Sequence, residues 1–185
     1  MPENWIALLR TAHTEFAARI AAVADWDAPT PDTEWTIRDL VAHVTEDQQW
    51  VPELLAGRTT AEAELKVTPL GDDLAAEWRR HAAAALAAWE AADLDASVHL
   101  SYDTVRAADY LAEQVGDITI HTWDLARATA TSEELDDDLV DAVWSVFEPQ
   151  AGLLEASGLF APAVSVPADA SLRVRLLALT GRDAG

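Results

Sequence analysis

Near the N-terminus, Ile6, Leu9, Phe16, Ile20 and Val23 recur at intervals of three, four and seven. That spacing lays one apolar stripe along a helix and predicts a first helix from about Pro2 to Ala24. The turn-rich run Asp25 to Asp32 ends it. Thr36, with Asp39 three residues on, matches a capping box and opens a second helix to about Ala56. Gly57 stops that helix, and Pro52 marks a bend or an early end. Residues 58–69 read as a polar loop. Asp72 or Asp73 opens a third helix carrying Leu74, Trp78, Leu86 and Trp89. After a connection at 94–101, a fourth helix spans about Thr104 to Ala130. A fifth, capped by Thr131 or Ser132, runs from about Glu133 to Ala156. An extended segment, 160–167, covers surface, and Ser171 starts a short last helix through Leu179.

No convincing sheet, internal repeat or interdomain linker interrupts this pattern. The expected fold is all-α: an up-and-down four-helix bundle with an additional short C-terminal helix. It forms a single domain over 1–185, whose extension from about 157 packs on the bundle.

Composition narrows the chemistry. Hydrophobic residues make up 50% of the 185, and there is no cysteine, so disulfides and thiolate metal sites are excluded. Any metal must be held by histidine and carboxylate. A net charge of -21 repels phosphate backbones and anionic lipid heads, which argues against nucleic acid and membrane partners. No apolar run approaches the ~20 residues needed to span a bilayer. Met1 to Asn4 carries no basic signal region, so the expected location is cytoplasmic.

Asp117 and His121 stand four residues apart in the fourth predicted helix. That puts a carboxylate and an imidazole on one face, roughly 6 Å apart along the axis. The spacing suits two ligands of one metal ion, and His43 on the second helix is the best third. A surface ion pair in a metal-free scaffold is the plain alternative. Among the neighbours, Asp124 is read either as orienting a ligand imidazole or as pairing with Arg127 or Arg38. Asp39 caps, and Arg38 pairs with a carboxylate. His13 reads as a partly buried histidine bonded to a neighbour, with a fourth ligand or general base as its alternative. Trp35 and Trp123 read as core, with pocket wall as their alternative. His81 and His99 read as surface residues. No phosphate loop, nucleophile elbow or zinc-protease motif is present, and no catalytic or cofactor-binding residue is assigned.

Two motifs together carry a resemblance. They are Thr30-Pro31-x-x-Glu34-Trp35-Thr36-x-Arg38-Asp39-Leu40-x-x-His43 and Asp117-x-x-x-His121-x-Trp123-Asp124-Leu125-Ala126-Arg127. They resemble the DinB-like metal-binding families, and within them stand-alone relatives of the N-terminal metal-binding domain of mycothiol-dependent maleylpyruvate isomerase. The tail, Phe160-x-Pro162-Ala163-Val164-x-Val166-Pro167 and then Arg175 to Asp183, is similar to the ending of those relatives. The resemblance implies a four-helix bundle holding one divalent metal, zinc or nickel, through His43, Asp117 and His121. In the isomerase the position matching Asp117 is a glutamate. The isomerase also has a further C-terminal domain that this chain lacks, so its specific activity is not carried over. The implied function is a thiol-dependent, mycothiol-type transferase or isomerase acting on a small electrophile, with mycothiol as thiol cosubstrate. The alternative is a non-catalytic metal-binding module, dimeric through a helix face.

Overall fold

The computed structural model describes residues 4–32, 34–157 and 160–184. The start of the predicted first helix at Pro2, and Gly158, lie outside them. Four long helices form the bundle: α1 (Trp5–Ile20), α2 (Ile37–Leu55), α4 (Leu74–Ala91) and α5 (Ala107–Ala128). Helices α1 and α2 each pack against α4 and α5. They therefore face one another across the bundle, and α2 and α5 lie side by side. The shared core includes Leu9 and Phe16 from α1, Leu40 and Val44 from α2, Trp78 and Trp89 from α4, and Leu111, Val115 and Ile118 from α5. Each such side chain contributes about 1.5–3 kcal/mol of burial free energy.

Local chemistry sets the helix ends. Asn4 accepts a hydrogen bond from the Ala7 amide at the start of α1, and Asp73 does the same for Ala76 at the start of α4. Thr36 and Asp39 form the expected reciprocal capping box on α2. Pro52 sits in the last turns of α2 without ending it early. α1 stops at Ile20, one turn short of expectation.

Three expectations are corrected. The polar loop contains a short helix, α3 (Thr60–Glu64), because Thr59 and Glu62 make a second capping box. The fourth predicted helix begins at Ala107. Its first residues, β2 (Thr104–Arg106), pair antiparallel with β1 (Ser97–His99) in a small hairpin. The fifth predicted helix is shorter and broken. Asp136 caps α6 (Asp137–Phe147), and a 3-10 turn at Glu148–Gln150, with Pro149 in its first turn, leads into α7 (Ala151–Ser157).

The last helix is as expected: Ser171 caps α8 (Leu172–Leu179), which packs on α6. Within the preceding segment the Val164 amide donates to Ala178 O. Beyond α8, Gly181 turns the chain at a φ of +82°, a left-handed conformation that glycine adopts without a Cβ penalty. That turn sends Arg182 inward, where it is 6% exposed.

Candidate metal site

The polar groups of interest lie where α2 and α5 meet. α5 is buried along most of its length, under α6 on one side and the bundle on the other. His121 and Asp124 are buried on it, and Asp117 is half-buried. His43 projects from α2, half-buried, on the neighbouring helix. His43, Asp117 and His121 each offer one ligand atom, and these atoms lie within 4.8 Å of one another. Among the described residues this is the group of histidines and acids close enough to share an ion. Trp35 covers it, its ring centroid 4.7 Å from that of His43 and 5.7 Å from that of His121. Trp35 is thus wall as well as packing, whereas Trp123 is fully buried, with the Arg127 guanidinium 4.5 Å above its ring.

His121 is held from both ring nitrogens. Nε2 lies 3.5 Å from Asp117 Oδ1, and Nδ1 lies 3.1 Å from Asp124 Oδ2. Asp124 is sealed from solvent and accepts two hydrogen bonds from Arg182, at 3.2 Å from Nε and 2.8 Å from Nη2. Arg182 also donates to Thr180 O at 2.7 Å and lies 3.7 Å from Asp32. Asp124 therefore orients the imidazole, one of the two roles read from sequence. Its ionic partner is Arg182 instead of Arg127 or Arg38. Arg127 is drawn away by Glu133, and Arg38 lies by Asp27.

The electrostatics follow from this crowding. Burial favours neutral His121, but the charges of Asp117 and Asp124 outweigh it and push the imidazole up to about 10. Burial alone would raise the carboxyls of Asp117 and Asp124. His121 beside both, and Arg182 beside Asp124, hold each below the usual carboxylate range. Burial lowers His43, with Asp117 opposing. As protonated, His121 is a cation clamped between two carboxylates. As neutral imidazole, with Nδ1–H donated to Asp124, it presents Nε2 toward Asp117 and His43. That is how a carboxylate fixes the tautomer of a metal-ligating histidine.

Other candidates fall outside the cluster. His13 is buried, and its Nε2 is 3.2 Å from Gln48 Oε1, whose amide donates to Gln114. Burial pushes His13 down to about 4. It is the neighbour-bonded histidine of the plain reading. His99 is exposed and bonded to Thr104. His81 corrects its surface assignment: it is 8% exposed, with Nε2 3.3 Å from Glu77. α4 turns it inward about two helical turns before Trp89.

Three residues near the site escaped the sequence reading. Asp32 and Arg182 come from loops far apart in sequence, and only the fold joins them. Asp47 was findable. It stands four residues after His43, the same spacing that singled out Asp117 and His121, and its Oδ2 is 3.8 Å from His43 Nε2.

The sequence model of the mycothiol maleylpyruvate isomerase N-terminal domain matches residues 9–126. The chain belongs to this family. Two uncharacterized proteins of Mycobacterium tuberculosis, from strains CDC 1551 / Oshkosh and ATCC 25618 / H37Rv, are similar to it. Each is 34% identical over 131 residues, covering 69% of this chain and 69% of its own. The fold is shared with crystal structures of mycothiol-dependent maleylpyruvate isomerase. A histidine-to-alanine mutant of that enzyme aligns with a TM-score of 0.67 at 18% identity, over 85% of this chain and 73% of that one. A second structure of the enzyme aligns with a TM-score of 0.65 at 20% identity, over 82% and 70%. Among the described residues no helix is long and apolar enough to cross a membrane.

Proposed function

We propose that this member of the family binds one divalent metal ion through His43, Asp117 and His121 and uses it to activate a low-molecular-weight thiol toward a small electrophile. The observation that carries the reading is the convergence of two imidazoles and a carboxylate from the adjacent helices α2 and α5, with ligand atoms within 4.8 Å. Asp124 fixes the tautomer of one imidazole. A donor set of histidine and carboxylate suits zinc or nickel, and three protein ligands keep a position open. When bound, the ion supplies the Lewis acidity that makes a thiol ionise near neutral pH.

The chain's own residues bind, orient and shelter. Asp124 and Arg182 hold His121 in place, and Trp35 screens the imidazoles from solvent. The thiol sulfur forms a bond to the electrophilic carbon as its proton leaves to solvent. Loss of a leaving group with its electron pair completes a transfer. Where the electrophile is a conjugated C=C, its π pair moves into the adjacent carbonyl as sulfur bonds. The resulting single bond rotates, and return of the pair with expulsion of the thiolate completes an isomerisation. Family membership makes mycothiol the thiol of choice, and the nucleophile lies outside a chain without cysteine.

Cobalt substitution tests this. Sulfur ligation adds an intense near-ultraviolet charge-transfer band, and with no cysteine present the band must come from the added thiol. A band with mycothiol, lost in His43→Ala, is expected. Its absence with every thiol, in protein that holds cobalt, sinks the thiol reading. One observation favours a second reading, a metal-free scaffold: His121 sits 3.5 Å from Asp117 and 3.1 Å from Asp124, an arrangement that also satisfies a buried imidazolium. Protein that takes up no ion after loading would establish that scaffold.

A further inference from the structure

His43 and His121 are held in different ways. His121 is bonded through Nδ1 to Asp124 at 3.1 Å. Among the described residues the His43 ring makes no hydrogen bond, and Asp47 stands 3.8 Å from its Nε2. A metal-ligating imidazole is ordinarily aimed by a hydrogen bond to its second ring nitrogen. For His43 that task falls to packing. Its ring centroid lies 4.7 Å from that of Trp35 and 5.5 Å, edge-on, from that of His121.

The position of Trp35 is set by its own loop. Its amide donates to Asp32 O at 2.9 Å, and its carbonyl accepts from the Thr30 amide at 3.1 Å. The buried Thr30 hydroxyl is shared between Trp35 O at 3.0 Å and Asp32 O at 2.9 Å. Thr30, Asp32 and Trp35 are thus stitched together, and the Asp32 carboxylate lies 3.7 Å from Nη2 of Arg182.

Arg182 is itself firmly placed. It is buried, bonded twice to Asp124 and once to Thr180 O, with its guanidinium carbon 5.6 Å from the centre of the Phe160 ring. The tail packs tightly where it enters: a Cβ on Gly181 would fall 2.7 Å from Ala161 O. One guanidinium therefore meets both the carboxylate behind His121 and the loop that lays Trp35 on His43.

We propose that Arg182 is the shared positioning residue of the two imidazoles, aiming His121 through Asp124 and His43 through Asp32 and Trp35. The inference rests on the metal reading above and deepens it, since Arg182 acts on each candidate ligand through another side chain. The two branches differ in strength. The Asp124 branch is short and sealed from solvent, whereas the Asp32 side chain is 36% exposed. A partly exposed ion pair is worth roughly a two- to fivefold change in an equilibrium. The group that orients a ligand imidazole is worth about 10- to 100-fold in metal affinity.

The test uses the full-length protein in two states. In metal-free protein, proton NMR reads the nuclear Overhauser contacts between the Trp35 indole and the His43 ring. It also reads the Nδ1–H resonance of His121 bonded to Asp124. Asp32→Asn should weaken the Trp35–His43 contacts and leave the His121 resonance in place. Arg182→Gln should disturb both, and Arg182→Lys, which keeps the charge, should restore part of each. In zinc titrations, affinity should fall roughly two- to fivefold in Asp32→Asn. In Arg182→Gln it should fall about 10- to 100-fold. Adding Asp32→Asn to Trp35→Leu should change affinity no further, because the branch is already cut. If Arg182→Gln fails to fold, Asp32→Asn carries the test, since Asp32 is only partly buried. Wild-type ring contacts in Asp32→Asn, or additive effects of Asp32→Asn and Trp35→Leu, overturn the shared role. Lower stability with wild-type contacts and affinity is the mark of a merely structural clip, and overturns it as well. Protein that takes up no zinc while both NMR signals respond as expected overturns the metal reading and keeps Arg182 as the clamp on both imidazoles.

Discussion

Asp124 Oδ2 lies 3.1 Å from Nδ1 of His121 and 2.8 Å from Nη2 of Arg182, so the C-terminal tail reaches the candidate site through one sealed carboxylate. The left-handed turn at Gly181 makes that reach possible. Asp124→Asn keeps the shape and removes the charge, leaving the buried Arg182 guanidinium without its main counter-ion. Removing one partner of a buried pair costs about 3–5 kcal/mol. Loss of the group that orients a ligand imidazole lowers metal affinity about 10- to 100-fold. Arg182→Lys keeps the charge without the two-pronged hold and should fall between wild type and Asp124→Asn. Urea denaturation and metal titration check both, and wild-type affinity in Asp124→Asn would remove the tether from the site.

Metal stoichiometry separates the triad from the other histidines. Elemental analysis of tag-free protein after zinc or nickel loading should find one ion per chain. His121→Ala should abolish binding, because three ligands become two. His81→Ala should retain the ion yet lose stability, since His81 is one of the buried residues of α4. Retention of the ion by His121→Ala would place it elsewhere.

Periodicity and capping made the long helices and the triad legible. Thr36 with Asp39, and Asp117 with His121, act over three or four residues, a distance at which sequence and space coincide. The missed features have two causes. The hairpin at Ser97–His99 and Thr104–Arg106 is too short to show alternation, and it adjoins a helix whose pattern absorbed its second strand. Arg182 and Asp32 meet at Asp124 only because the tail folds back over α5, a relationship no local spacing encodes. Pro149, by contrast, breaks the predicted fifth helix by local chemistry alone, since its ring and missing N–H disfavour a helix interior.

Gly116 on α5 lies directly under the Phe147 ring at the end of α6. A Cβ there would fall 2.7 Å from Phe147 Cε1 and nearer still to Cζ, and the Phe147 ring is buried. In an open helix, Gly→Ala gains roughly 1 kcal/mol. Here the overlap reverses the sign, and Gly116→Ala should lose about 1–3 kcal/mol. Phe147→Leu shortens the opposing side chain, so the pair should be less destabilised than the sum of the single changes. A double-mutant cycle by urea denaturation measures this, and strict additivity would mean the ring moves aside freely.

His13 makes folding stability depend on pH. Burial lowers it from 6.5 to about 4 in the folded protein. Below pH 6.5 the unfolded chain therefore takes up a proton that the folded chain refuses until about pH 4. Because the folded value is depressed, the stabilising contribution is complete above pH 6.5 and is lost as pH falls toward 4. The full loss approaches about 3 kcal/mol. His13→Gln keeps a hydrogen-bonding group beside Gln48 and removes the titration. The variant will be less stable than wild type near pH 8, where neutral His13 packs edge-on to Trp78 at 5.2 Å. As the pH falls to 4 the gap should narrow and can reverse. Acidic groups elsewhere titrate in both proteins, so the wild-type minus variant difference isolates His13. A difference that stays flat from pH 8 to pH 4 would mean that His13 accepts its proton in the folded bundle as readily as in the unfolded chain.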